Sequence, residues 1–450
     1  MSARATRRRS GGWTQAHVRR LFWRAGFGAT AREAALWSRR GKPATLAWIV
    51  DGAPGPVLRG PEPSVNGRPL DPVNEWGHDA LWWLDRMVRS QRPLVEKLTL
   101  FWHNHFATTD QDTPLMLAQN RTFRAGALGG FRPLLGHVMR DPAMQFFLSL
   151  ADSEKHAPNE NFARELMELF TLGSGYTERD IREAARALTG YRTRYANDRF
   201  QGISFDPERH DRGVKRIFGH RGRFGPDDVL DLVVAHPRHA PFLITKLWHW
   251  FVVPPPSRDT LRSLTTIYRR SGRQIRPVVR AILAHPALYA NLGAPDMVKS
   301  PVVHMAGALR TTGTPVHWDS PAWMLESAGQ RLFGPPSVAG WEGGPAWMSS
   351  NAMRVRFEVG NFLLERSGRV AVPDQAGDPG LTPAAALEQA LDVTGRPWVS
   401  PRTRAMLIAS GRQAFRGARR DDRSGRIERA TMLQRTLRHI LLTGPDAQVH

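Results

Sequence analysis

The stretch Asn159-Glu160-Asn161-Phe162-Ala163-Arg164-Glu165-Leu166-Met167-Glu168-Leu169-Phe170 decides the class of fold. Spacings of three and four place Asn161, Arg164, Glu165 and Glu168 on one side of a helix, and Phe162, Leu166, Leu169 and Phe170 largely on the other. One side can anchor in a core while the other carries an organised polar array. Arg164 and Glu168 have the spacing of an ion pair, and Asn161 can donate to Glu165. Asn159, following Pro158, is the expected N-cap of this helix and Gly173 its expected terminator. Thr177 and Asp180 then form a capping box, in which hydroxyl and carboxylate each take a free amide of the next helix, and Gly190 supplies a permissive stop. Two helices joined by the turn from Gly173 to Tyr176 should pack as a corner or hairpin.

The same periodicity recurs along the chain. Helices are predicted over residues 14 to 26, 31 to 39, 73 to 89, 92 to 107, 114 to 128, 131 to 140, 159 to 171 and 178 to 189. After a stretch of central loops come 226 to 235, 238 to 252, 258 to 271, 275 to 284, 298 to 311, 320 to 329, 351 to 366, 383 to 391, 401 to 409 and 427 to 442. No succession of alternating β-branched runs stands at hairpin spacing. The expected fold is therefore all-α or predominantly α, a multi-helix orthogonal or irregular array with long loops. Segments 51 to 72 and 370 to 383 are rich in Pro and Gly and lack periodicity. They suggest a main helical domain over 1–369 and a small basic C-terminal helical segment over 370–450 packed on it.

With 450 residues, 41% of them hydrophobic, the chain can bury a large core. Its longest apolar runs, Leu98 to Trp102 and Phe242 to Trp250, are too short to span a bilayer. The basic Arg7-Arg8-Arg9 cluster is followed by an amphipathic pattern rather than the apolar segment of an export signal, so the chain as written reads as cytoplasmic. Absence of cysteine excludes disulfides, thiolate nucleophiles and cysteine-ligated zinc or iron–sulfur centres. A formal charge of +22, from 63 Lys and Arg against 41 Asp and Glu, favours anionic partners: an anionic small molecule, an acidic partner or nucleic acid. Arg412, Arg416, Arg419, Arg420, Arg423, Arg426 and Arg429 form the best nucleic-acid or acidic-membrane patch, diluted by Asp421, Asp422 and Glu428.

Three clusters carry possible chemistry. In Phe101-Trp102-His103-Asn104-His105-Phe106 a helix would point the two histidines about 200° apart, one to a polar cavity and the other to a backbone carbonyl. In Phe205-Asp206-Pro207-Glu208-Arg209-His210-Asp211, Asp206, His210 and Asp211 suit a hard or borderline metal, or His210 with Asp211 an oriented base, as readily as ordinary loop hydrogen bonding. The composite site has Glu165, Glu168, His103, His210 and Asp211 as candidate metal ligands. Glu165, Glu168 and His103 are its candidate catalytic groups, with Arg164 organising the carboxylates or clamping an anion. No cofactor is identified by the sequence; a divalent metal ion is the candidate, and without one a carboxylate would serve as a general base next to an arginine-oriented anion. The opposing reading is a salt-bridged face or a buried network that joins helices. The loop Gly334 to Trp347 lacks the setting of a P-loop; its indoles should pack. No Gly-x-Ser-x-Gly elbow, dinucleotide fingerprint or His-Glu-x-x-His motif is present.

At these motifs the sequence resembles the DUF1800 family of bacterial proteins. The resemblance is carried by Arg20-Leu21-Phe22-Trp23-Arg24-Ala25-Gly26-Phe27-Gly28-Ala29, Glu96 to Thr108, Asn159 to Gly173 and Tyr176 to Gly190. It continues through His210 to Gly219, His236 to Val252, Lys299-Ser300-Pro301 and Leu332 to Arg354. It implies a mainly helical scaffold and a shared polar centre, without a substrate. Many relatives look exported, sometimes with a twin-arginine leader, which this chain departs from in lacking an evident one. The reaction class expected first is metal-assisted hydrolysis or group transfer on an anionic substrate. A non-catalytic basic scaffold or interaction protein is the alternative, and a nucleic-acid-binding protein a third.

Overall fold

The computed structural model describes residues 12–52, 55–109, 112–151, 153–197, 199–378, 380–416 and 422–450. The Arg7-Arg8-Arg9 cluster, Arg419, Arg420 and Asp421 lie outside them.

The chain is predominantly α-helical, an irregular array of many helices with long loops. It opens with α1 (Gln15–Arg24) and α2 (Ala31–Asp51), the latter bent at Gly41 ahead of Pro43. Next come α3 (His78–Arg89), α4 (Pro93–His105), α5 (Thr113–Gly126), α6 (Phe131–Arg140) and α7 (Pro142–Phe147). A short α8 (Asn161–Glu165) continues as a π-helical turn over Leu166–Thr171 and is followed by α9 (Glu178–Ala187). The array continues with α10 (Pro226–Ala235), α11 (His239–Phe251), α12 (Arg258–Arg270), α13 (Ile275–Ala284), α14 (Pro301–Thr312), α15 (Ser320–Ser327) and α16 (Ser350–Arg366). It ends with α17 (Pro383–Val393), α18 (Pro401–Ala414) and α19 (Arg423–Thr443).

The strands form three two-stranded antiparallel hairpins: β1 (Ser64–Val65) with β2 (Arg68–Pro69), β3 (Tyr191–Ala196) with β4 (Arg199–Phe205), and β5 (Lys215–Ile217) with β6 (His220–Gly222). The β3–β4 and β5–β6 pairs fall where the sequence suggested central loops. Tyr191, Thr193 and Tyr195 alternate against Phe205, Ile203 and Phe200, a pattern that arginines at the intervening positions dilute.

Two large apolar cores meet at α4. One gathers side chains of α1, α2, α6, the π turn and α9 to α13 around Phe101, Trp102 and Phe106. The other gathers α3, α14, α15 and α16 around Trp83 and Leu100. A third, smaller core joins α17, α18 and α19, and Leu442 near the end of α19 extends into the second. Arg435 and Arg438 of α19 also donate to the carbonyls of Val370, Ala371 and Val372.

Candidate functional site

Local capping sets the frame. Asn159 takes the amide of Asn161 on its Oδ1 at 2.9 Å, an Asx turn that starts α8. Thr177 Oγ1 accepts from Asp180 N at 3.2 Å and Asp180 Oδ2 accepts from Thr177 N at 2.8 Å, so the capping box forms as read. Gly173 adopts φ 74°, and a Cβ there would lie 2.8 Å from the Phe242 ring, which restricts the position to glycine.

The π turn is what the sequence did not disclose. Amides of Leu172 and Gly173 both return to Met167 O, at 2.9 and 3.1 Å, and three successive carbonyls near the turn's end receive basic side chains, two of them buried and the third half-buried. Lys246 Nζ donates to Leu169 O at 2.8 Å, His105 Nε2 to Phe170 O at 3.0 Å and His239 Nδ1 to Thr171 O at 3.2 Å. Because a carbonyl only accepts, both tautomers are fixed. His105 Nδ1 is left to accept from Lys246 at 3.5 Å, and His239 Nε2 from the Tyr268 hydroxyl at 2.9 Å. Burial pushes His239 down to about 4, His105 well below its usual range and Lys246 down to about 8. Two neutral imidazoles and an amine thus complete a helix end that would otherwise bury orphan carbonyls.

On the outer side of this segment Glu165 is half-buried and Glu168 exposed. Burial first, then the neighbouring Glu168, raises the Glu165 carboxyl, while Arg164 opposes the shift. Glu165 makes no hydrogen bond or ion pair with any described residue. The Tyr176 hydroxyl faces Glu168; burial and that carboxylate raise its pKa. Arg164 does not pair with Glu168 as the spacing suggested. Its guanidinium meets both Glu178 oxygens at 2.9 Å and Glu160 at 3.1 Å, tying α8 to the start of α9, and the expected Asn161–Glu165 bond does not form. With one carboxylate on either side of it, Arg164 satisfies its donors without leaving its own helix corner.

The remaining candidates sit in other surroundings. His103 does not face a polar cavity: it is 1% exposed and ringed by Trp83, Trp341, Phe333 and Phe123 at centroid distances of 5.3, 5.5, 5.8 and 6.5 Å. Its Nε2 has no hydrogen-bond partner among the described residues, and burial pushes the imidazole down to about 3. The divergence expected from helical geometry holds, since His105 turns to a carbonyl in one core while His103 turns into the other. His210 donates through Nδ1 to Thr189 O at 2.9 Å. Asp211 is held by Arg186 Nε at 2.7 Å and by the Gly213 amide at 2.7 Å, and that pairing keeps its carboxyl low. His103, the Glu165–Glu168 pair and the His210–Asp211 loop have no hydrogen-bond, ion-pair or ring partner in common among the described residues. Among the described residues no group of three or more His, Asp or Glu side chains is placed to hold a metal ion.

A cleft of about 390 Å3 opens beside the Gly173–Tyr176 turn, lined by Gly175, Asp180, Phe218, His220 and His236. Both Asp180 oxygens are already taken, by the cap and by the Phe218 amide at 2.7 Å. His220 and His236 were missed as lining residues because nothing in their own neighbourhoods marks a cavity.

Fold and site together define a basic, predominantly helical protein that carries a carboxylate pair where α8 passes into a π-helical turn. The chain belongs to the family DUF1800, described as a protein of unknown function, whose model matches residues 20–449. No curated protein and no solved structure matched the chain.

Proposed function

We propose that the protein is an enzyme in which Glu165 and Glu168 hold a divalent cation against an anionic substrate, for hydrolysis or transfer of a group from that substrate. The observation that carries this reading is Glu165 itself: a half-buried carboxylate, raised by burial and by Glu168, with no hydrogen bond or ion pair to a described residue, at the entry to a helix segment distorted from α geometry. A magnesium-type ion needs only one or two protein carboxylates when water and substrate oxygens complete its shell, so the lack of a three-residue cluster among the described residues is compatible with it. The ion would polarise a substrate oxygen or lower the pKa of bound water. The surplus of cationic residues favours the approach of an anion.

A scaffold role is the second reading. It is favoured by Arg164, His210 and Asp211, whose side chains are bound to structural partners. Calorimetric titration of manganese(II) into the untagged full chain separates the two. The enzyme reading expects one ion per chain, with affinity reduced at least about tenfold in Glu165→Gln and in Glu168→Gln. Identical isotherms for wild type and both variants would overturn it.

A further inference from the structure

The cleft beside the Gly173–Tyr176 turn, of about 390 Å3, carries groups that the Glu165–Glu168 reading does not use. The β5–β6 turn, the start of α9 and the end of α10 enclose it, and each of its lining residues is half-buried or exposed, so the space is open to solvent. Phe218, Leu232 and Pro237 give it an apolar wall, with the His236 imidazole 4.9 Å from the Phe218 ring.

His236 supplies a donor. The Arg238 amide donates to its Nδ1 at 3.3 Å, so the neutral ring carries its proton on Nε2. Burial, then Arg238, holds this imidazole below its usual range while Asp180 opposes the shift, which keeps the ring neutral at pH 7. Nε2 makes no hydrogen bond with a described residue and is not one of the chain's buried unpaired atoms, so its N–H is reachable from solvent. His220, exposed on the rim, also makes no hydrogen bond with a described residue.

The charges favour an anion. Arg238 bends over the open side of Gly175, where a Cβ would stand 3.3 Å from its Nε, and it lies close enough to His236 to lower that imidazole. Arg269 donates to the Pro237 carbonyl at 3.4 Å. Next to His220, Arg216 and Arg221 stand directly opposite each other across the hairpin, an arrangement that like charges disfavour. None of these four guanidiniums forms an ion pair with a described residue; Glu183, which accepts from the Arg216 amide, is paired with Arg186. Asp180 is the carboxylate that lines the cleft, and three donors already meet it: Thr177 N and Oγ1 at 2.8 and 2.7 Å, and the Phe218 amide at 2.7 Å. From the same cations a dianion gains about twice the Coulomb energy of a monoanion.

We infer that this cleft binds an aromatic phosphate monoester, a small ring bearing a dianionic phosphoryl head. The head meets His236 Nε2–H and Arg238, and the ring lies along Phe218 and Leu232. The site does not rest on the Glu165–Glu168 pair and stands whether or not that pair binds a cation.

Phenyl phosphate, which carries close to two negative charges at about pH 7.5, is the probe, with phenol as the uncharged control and benzoate as the monoanion. Affinities for the full chain are read by ligand-observed NMR in metal-free buffer at low salt, in the millimolar range expected of so small a molecule. Phenyl phosphate is expected to bind at least about fivefold more tightly than phenol and at least about threefold more tightly than benzoate. Arg238→Gln is expected to weaken phenyl phosphate about threefold or more. His236→Asn, whose Oδ1 can still accept from the Arg238 amide, removes the Nε2 donor and should cost a similar factor. Arg402→Gln, on α18, takes away the same charge elsewhere and should change binding by less than about twofold. Binding of phenol or benzoate as tight as that of phenyl phosphate, equal losses in Arg402→Gln and Arg238→Gln, or no binding of phenyl phosphate at roughly 10 mM would overturn the inference.

Discussion

Gly340→Ala is expected to destabilise the chain by about 3 to 5 kcal/mol in urea denaturation. Gly340 has φ 81°, where an L side chain alone costs about 1 to 2 kcal/mol, and it lies directly over the end of α4. A Cβ there would stand 2.5 Å from the Asn104 main-chain oxygen and closer still to Oδ1. The backbone of a buried helix cannot yield, so the loop must lift. That movement would break the bond from Trp341 N to Asn104 Oδ1, 2.7 Å long, and withdraw the Trp341 ring from His103. Gly344→Ala is the control: φ is 56° and nothing lies within 4 Å of the added atom, so only the backbone cost of about 1 kcal/mol applies. Equal losses for the two variants would show that the close approach to Asn104 does not matter.

Lys97→Met is expected to stabilise the protein at pH 7 by on the order of 3 kcal/mol, and to flatten the rise of stability with pH between 7 and about 9.5. Lys97 is 3% exposed; its amine reaches Trp23 O at 3.4 Å and lies over the rings of Phe27 and Trp250. Burial, aggravated by Arg24, pushes it down to about 7 from 10.5. Lys299, over the Trp23 ring and bonded to Ala447 O, is likewise pushed down to about 7 by burial and by Arg356. The unfolded chain keeps these protons up to about pH 10.5 whereas the native chain releases them near 7, so stability climbs with pH across that window. Below pH 7 both states are protonated and the penalty stands at full size. The window closes near pH 10, where unfolded tyrosines ionise while Tyr191, pushed up to about 12 by burial, does not. Buried imidazoles such as His239 extend the same sign to acid, since the unfolded chain takes up their protons first. Destabilisation of Lys97→Met at pH 7, or an unchanged slope above it, would contradict this assignment.

Much of the architecture was legible because helical periodicity and capping are local signals. The Thr177–Asp180 box and the terminating Gly173 need only neighbouring residues to act, and they act as read. Family membership was legible for a related reason, since many short motifs in fixed order are specific together. The π turn was not legible: Leu166 to Thr171 fits α periodicity equally well, and the distortion depends on Lys246, His105 and His239 arriving from α4 and α11. Arg164 went to Glu178 rather than Glu168 because a partner on the next helix offered two oxygens. His103 looked like a ligand only while its four aromatic neighbours, spread from Trp83 to Trp341, were out of sight.

The claim on which the functional reading depends is that the fold holds Glu165 unpaired for use, not for stability. The melting temperature of Glu165→Gln in metal-free buffer at pH 7 tests it most directly. Removing a half-buried, unpartnered charge beside Glu168 should leave the melting temperature unchanged or raise it by about 1 °C. A fall of about 2 °C or more would place Glu165 in a structural network and contradict the claim.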